Sequence, residues 1–106
     1  MIRATTPTHS FIIESKSIDL STAQNIRLTY SQKNTKILEK TKNDVTITNN
    51  TITYTLSQED TLLFNEAYPV EIQVTVKTSE GVVLKTGIIS IRAERALSTE
   101  VFKNED

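Results

Sequence analysis

The chain has no cysteine and no tryptophan, and only two glycines, two prolines and one histidine among 106 residues. Without cysteine there is neither a disulfide nor a thiolate metal ligand, although this leaves the compartment open. Without tryptophan and a cysteine pair, the sequence markers of antibody-type immunoglobulin domains are missing. Two glycines exclude a glycine-rich phosphate loop and leave the turns to asparagine, aspartate and serine. No apolar run approaches the roughly 18 residues that a membrane-spanning helix needs. The opening MIRATTPTHSF carries no apolar h-region, so no signal peptide is expected. Charge of one sign is lacking too: 12 basic residues stand against 13 acidic ones, for a net charge of −1. Nothing in that balance builds an electrostatic footprint for nucleic acid or an anionic membrane, and neither is expected as a partner.

What is abundant is the β-branched side chain. Threonine occurs 17 times, isoleucine 12 and valine 7, about a third of the chain, and this favours strands over helices. A chain of this length suits one domain with a modest core. Its organising stretch is Val45 to Phe64. Val45 and Ile47 alternate with Thr46 and Thr48; Ile52, Tyr54 and Leu56 alternate with Thr51, Thr53 and Thr55. Period-two alternation marks half-buried strands. Asn49-Asn50 between the runs suits a two-residue hairpin turn, since asparagine tolerates the left-handed backbone. That loop sets Thr48 opposite Thr51, Ile47 opposite Ile52, Thr46 opposite Thr53 and Val45 opposite Tyr54, so like faces like. The period then breaks at Ser57-Gln58-Glu59-Asp60, a capping box with Asp in the third helical position. A short helical turn near residues 58–64 follows. It is too short to survive alone. Burial of Leu62, Leu63 and Phe64 is expected to pin it as a crossover between two sheets.

The remaining elements fall on either side. Residues 1–8 read as a loose N-terminal arm. His9 to Glu14 is a first strand with Phe11 and Ile13 on one face. Ser15 to Gln24 is a connection anchored by Ile18 and Leu20. Ile26, Leu28 and Tyr30 alternate in a second strand, Gln32 to Thr35 is a turn, and Lys36 to Lys40 is a short third strand. Thr41 to Asp44 is the next turn. Val70, Ile72, Val74 and Val76 give the cleanest strand of all. Gly81 closes a turn at a site that tolerates positive φ. In the last strand Val82 and Leu84 share one parity and Ile89 and Ile91 the other. Gly87 lies between, the sequence signature of a β-bulge that keeps Leu84 and Ile89 on one side. Leu97, Val101 and Phe102 are expected to dock, and 103–106 is a solvated tail. The expectation is one all-β domain over residues 9–102, an antiparallel, immunoglobulin-like sandwich of about seven strands.

No catalytic constellation emerges, and no catalytic, cofactor-binding or metal-ligating residue is assigned. His9, the lone histidine, reads as a surface or packing residue as against a member of a triad. Glu59 and Asp60 read as helix-capping carboxylates as against a catalytic or metal pair. Lys33, Lys36, Lys40 and Lys42, interleaved with Glu39 and Asp44, read as a charged edge strand as against an anion site. Asn49-Asn50-Thr51 matches a glycosylation sequon and reads as a turn. Tyr30, Tyr54 and Tyr68 make no basic-aromatic stripe of the RNA-binding kind.

Several phrases in order carry a family resemblance. They are Pro7 to Phe11, Leu28 to Gln32, Ile37 to Lys40, Leu56 to Phe64 (LSQEDTLLF), Ile72 to Val74, and the Gly81 turn leading to Ile88–Ile91. Over roughly residues 7 to 97 the chain resembles short proteins encoded by phages and prophages of Firmicutes among tail and baseplate genes. LSQEDTLLF is the most specific piece; the rest is generic strand sequence. The chain departs from the pattern at Thr86-Gly87, where serine is expected, and in lacking a glycine near the C-terminal end. The resemblance implies a non-enzymatic structural or assembly protein of the virion, assembled in the host cytoplasm. Its implied partners are other tail or baseplate proteins and further copies of itself. A carbohydrate- or surface-binding sandwich is the alternative; Tyr30 and Tyr68 are the aromatics open to that use.

Overall fold

The computed structural model describes residues 1–13 and 19–94. Ile18 and the docking of Leu97, Val101 and Phe102, together with Glu14 and the tail 103–106, lie outside the described residues. The chain forms an antiparallel β-sandwich of two sheets. Its strands are β1 (Thr8–Ile12), β2 (Asn25–Gln32), β3 (Thr35–Thr41), β4 (Thr46–Thr48), β5 (Thr51–Thr55), β6 (Pro69–Lys77), β7 (Val83–Lys85) and β8 (Ile89–Arg92). A 3-10 turn, Leu20–Thr22, precedes β2, and one helix, α1 (Gln58–Leu62), precedes β6. The smaller sheet has the order β1-β5-β4; the larger runs β3-β2-β6-β7, with β8 also on β6. The architecture of two face-packed antiparallel sheets is the expected one. The strand order is its own, because β2 lies between β3 and β6 and shares no ladder with β1 or β5.

Local chemistry accounts for most of these elements. In the central hairpin Thr48 faces Thr51, Ile47 faces Ile52 and Thr46 faces Thr53, as the alternation requires. Asn49 alone of the two turn residues takes positive φ, at 52°. Val45 falls just outside β4, so the expected Val45–Tyr54 pair is not part of the ladder. Lys33 and Asn34, at φ 50° and 61°, both enter the left-handed region, as a type I′ hairpin between β2 and β3 demands. Gly81, at φ 88°, closes the turn after β6.

The phase change at Gly87 divides the expected seventh strand in two. Thr75 faces Lys85 and Ile72 faces Ile89, so three steps along β6 meet four along its neighbour. One residue is extra, which is the bulge read from the sequence. Thr86 holds the join: its amide donates to the Val74 carbonyl at 3.0 Å, and its hydroxyl accepts from the Val74 amide at 3.0 Å. A second bulge sits on β3, where Tyr30 faces Leu38 and Ser31 faces Lys36, leaving Ile37 over.

The core lies between β2 and β6 of the larger sheet and β1 and β5 of the smaller one. Ile26, Leu28, Tyr30, Val70, Ile72, Val74 and Val76 face Phe11, Ile52 and Leu56, all buried. Two expectations fail here. Of Leu62, Leu63 and Phe64, only Phe64 is buried; Leu63 is 55% exposed, and buried Thr61 takes the inward position. The arm before β1 is tied down, not loose. The Met1 ammonium donates to the Arg92 carbonyl, Ile2 forms a parallel bridge with Glu94, and Thr61 donates to the Thr5 carbonyl.

Gln32 secures the chain's entry into β6. It is 5% exposed, and its amide nitrogen donates to the carbonyls of Asn65 at 2.7 Å and Tyr68 at 3.0 Å. Its side-chain oxygen accepts from the Asn65 amide at 2.9 Å. A buried polar side chain with every bond made fixes a loop, and removing it orphans the groups it served. Gln32→Leu is therefore expected to cost about 1–3 kcal/mol in urea unfolding. A loss indistinguishable from zero would show that the loop finds other partners.

Candidate functional site

One end of the sandwich, beside α1, gathers most of the titratable side chains that the core contains. Ser57 caps α1: its hydroxyl accepts from the Asp60 amide at 3.0 Å, and the Asp60 carboxylate accepts from the Ser57 amide at 3.0 Å. The same carboxylate oxygen accepts from the Tyr54 hydroxyl at 2.6 Å, tying the helix to β5. Burial pushes the Asp60 carboxyl upward. The bonds from Tyr54 and Ser57, with the nearby Lys40 charge, outweigh that push and hold it below the ordinary carboxylate range. The Lys40 ammonium lies 5.7 Å from the centre of the Tyr54 ring.

His9 faces Tyr54 across the β1–β5 ladder and bonds Tyr30 of the opposite sheet, Nδ1 to hydroxyl, at 2.7 Å. Its ring stacks on Tyr30 with centroids 5.8 Å apart, and Tyr30 in turn leans on Phe64 at 5.7 Å. Burial, and to a lesser degree the positive N-terminus, lowers the His9 pKa. Burial likewise raises the Tyr30 and Tyr54 hydroxyls far above their ordinary range. The His9 imidazole and the Tyr30 phenol thus satisfy each other, while the Tyr54 phenol is satisfied by the Asp60 carboxylate. The arrangement clamps the two sheets and α1 together.

The lysines of the third strand go to separate tasks. Lys36 pairs with Glu39 at 2.9 Å, which Arg27 also approaches at 3.5 Å. Lys42 donates to the carbonyls of Ala23 at 2.6 Å and Ser21 at 3.3 Å. Lys33 lies over the Tyr68 ring, 4.4 Å from its centre. They do not converge on an anion site. β3 pairs only with β2, so the charged edge strand is where the sequence put it. Tyr30 is fully buried, whereas Tyr68 is exposed, with the Lys33 ammonium 4.4 Å from its ring centre. Asn49 of the sequon forms the hairpin turn. Among the described residues no group of three or more His, Asp or Glu stands close enough to hold a metal ion.

The other candidate is the open side of the sandwich, between the edge of β1 and the edge made by β7 and β8. A groove of about 420 Å³ runs there, lined by Ser10 to Ile13, Val74 and Thr86 to Ile89. Among the described residues no lining side chain is charged. Ile12 is 70% exposed, Ile88 61% and Ile89 47%. Only the apolar residues and the bulge were legible beforehand; what makes them a site is the relative width of the two sheets. Comparison with protein-family models, with curated proteins and with solved structures returned no match.

The polar cluster generates a pH prediction. A histidine whose folded pKa is depressed leaves the unfolded chain to bind the proton first. Stability is thus complete above about pH 6.5, the ordinary histidine value, and declines as the pH falls below it. His9→Gln is expected to flatten that part of the profile. An unchanged slope in the variant would assign the decline to other groups. Ser57→Ala should cost about 1 kcal/mol as a lost cap. Asp60→Ala should cost more, because Tyr54 loses its acceptor as well; equal losses would deny the Tyr54–Asp60 bond any weight.

Proposed function

We propose that this chain is a non-enzymatic assembly module of a phage or prophage tail, belonging to the baseplate region and acting by protein–protein contact. Its partners are other tail or baseplate proteins and further copies of itself, and neither nucleic acid nor membrane. In this reading it is assembled in the host cytoplasm and retained in the virion. The phage assignment draws on the LSQEDTLLF segment and the phrases around it. The mode of action draws on one observation, the apolar groove on the open side, where Ile88 and Ile89 remain 61% and 47% exposed. Groups of this kind are what strand addition covers: the main chain supplies hydrogen bonds and alternate side chains fill the groove. Of the two rings the carbohydrate-binding alternative would use, Tyr30 is buried and Tyr68 is exposed beside Lys33, so that reading has a single ring to draw on.

The test is incorporation. Particles from cells carrying the encoding phage or prophage are purified and the chain is quantified in them by mass spectrometry. A fixed copy number per tail is expected. Ile89→Glu, a change at a half-exposed position, is expected to reduce incorporation about tenfold or more while leaving the melting temperature near that of the parent. A chain found only outside particles, or a variant incorporated as well as the parent, would overturn the proposal or its groove respectively.

A further inference from the structure

A net charge of −1 conceals a local excess of positive charge on the outward face of the larger sheet. Val74 and Val76 of β6 are buried, so Thr75 and Lys77 point away from the core. Side chains paired across an antiparallel ladder share a face. Arg27 of β2 and Lys85 of β7 flank Thr75 in register, and Asn25 and Val83 flank Lys77 in the next row. With neighbouring strands about 4.8 Å apart and alternate residues about 7 Å apart, the three cationic stems rise within about 10 Å of one another. Arg27 and Lys77 line an open depression of about 200 Å³ together with Asn25, Thr75 and Val83. Lys85 reaches it by donating to the Thr75 hydroxyl at 2.9 Å. The charge is unbalanced. Glu39 lies 3.5 Å from the Arg27 Nε but is also held by Lys36 at 2.9 Å. Among the described residues no carboxylate pairs with Lys77 or Lys85. Like charges grouped across neighbouring strands weaken a sheet, so folding alone does not account for the cluster.

We propose that this face binds an acidic segment of a partner protein, whose carboxylates sit among Arg27, Lys77 and Lys85 and whose aliphatic side chains lie against Val83. It rests on the assembly reading above for the setting in which such a partner is met, and adds a second contact surface, on the opposite side of the larger sheet from the groove. Three observations select this occupant. First, the charges are complementary. Glu39 approaches the Arg27 Nε, which leaves the two terminal nitrogens of the guanidinium to take a carboxylate in the planar, two-point manner that suits arginine. The unpaired Lys77 ammonium supplies a point charge beside it. Second, Val83 is 56% exposed at the depression. Cations around an exposed valine suit a segment that mixes carboxylates with aliphatic side chains, and a phosphate polymer has nothing to set against the valine. Third, among the described residues no aromatic side chain lines the depression, and Tyr30 of β2 turns into the core. A single-stranded nucleic acid would therefore find the charge without the rings on which its bases stack.

Fluorescence anisotropy tests this on the full chain with a short labelled peptide in which glutamate alternates with valine and serine, beside its glutamine counterpart and a labelled oligothymidylate. The glutamate peptide is expected to bind, with an affinity that falls as salt is raised, and the glutamine peptide is not. Arg27→Gln/Lys77→Gln/Lys85→Gln should weaken binding about tenfold or more while the melting temperature stays near that of the parent. Lys77→Gln alone, at an exposed and unpaired side chain, should weaken it about threefold and keeps the test decisive where the triple variant does not fold. Lys33→Gln/Lys40→Gln removes charge away from this face and should bind as the parent does. Equal weakening by both sets of substitutions would overturn the inference, since net charge and not a site would then be responsible. So would equal binding of the two peptides, or tighter binding of the oligothymidylate, which would make a phosphate polymer the occupant. A mass from light scattering that grows with concentration in the parent but not in the triple variant would overturn it too, by making a second copy the occupant. Particle incorporation is read separately. Absent peptide binding with normal incorporation of the parent removes this inference alone; peptide binding with no incorporation removes the assembly reading and leaves the site without that setting.

Discussion

The constraint on which this molecule turns is a mismatch of width: among the described residues a sheet of three strands lies over a sheet four strands wide. Apolar burial is the main favourable term in folding, and it requires each inward face to be covered by another. Three strands can do this for β2 and β6, whose inward side chains are essentially inaccessible. They cannot also do it for the outer edge of the larger sheet. The core is consequently complete in the middle and open on one side, where Phe11 of β1 and Ile13 just after it share a groove with Val74 and Ile89.

The four sheet edges are treated differently, and the difference separates structure from interaction. β3 carries Lys36, Glu39 and Lys40 and a bulge at Ile37, devices that discourage pairing with another chain. β4 is only three residues long. The β7–β8 edge is interrupted by the bulge at Thr86-Gly87. β1 has none of these protections: Thr8-His9-Ser10-Phe11-Ile12 carries no fixed charge, no proline and no bulge. An edge left bare while the others are blunted is the one an incoming strand would meet.

Much of the fold was legible because it is encoded locally. The hairpin of residues 46–53, the Ser57–Asp60 box and the one-residue shift at Gly87 all follow from alternation, turn chemistry and capping, which act over a few residues. The misses are non-local. Leu62 and Leu63 are as apolar as Phe64, but only Phe64 meets the Tyr30 ring. The first eight residues carry no strand pattern, and contacts with residues far along the chain, among them Thr61, Arg92 and Glu94, tie them down. Gln32 looked like the polar end of a strand, whereas its role depends on Asn65 and Tyr68, more than thirty residues away. The groove was illegible for the same reason: nothing local states how many strands lie opposite Ile89.

These two ends of the molecule bear on function in opposite ways. At the α1 end Tyr30 is buried, His9, Tyr54 and Asp60 are half-buried and Ser57 is exposed, and each has its partner within 3.0 Å. A satisfied network of this kind costs free energy to disturb and is a poor place from which to bind anything else. At the open side the imbalance is reversed, with apolar surface left in water beside a bare backbone edge. Covering that surface releases free energy, and adding a strand bonds the edge at the same time. Binding is favoured where folding left interactions unmade, and by that criterion the groove beside β1, more than the histidine and carboxylate cluster, is the surface the proposed assembly role would use.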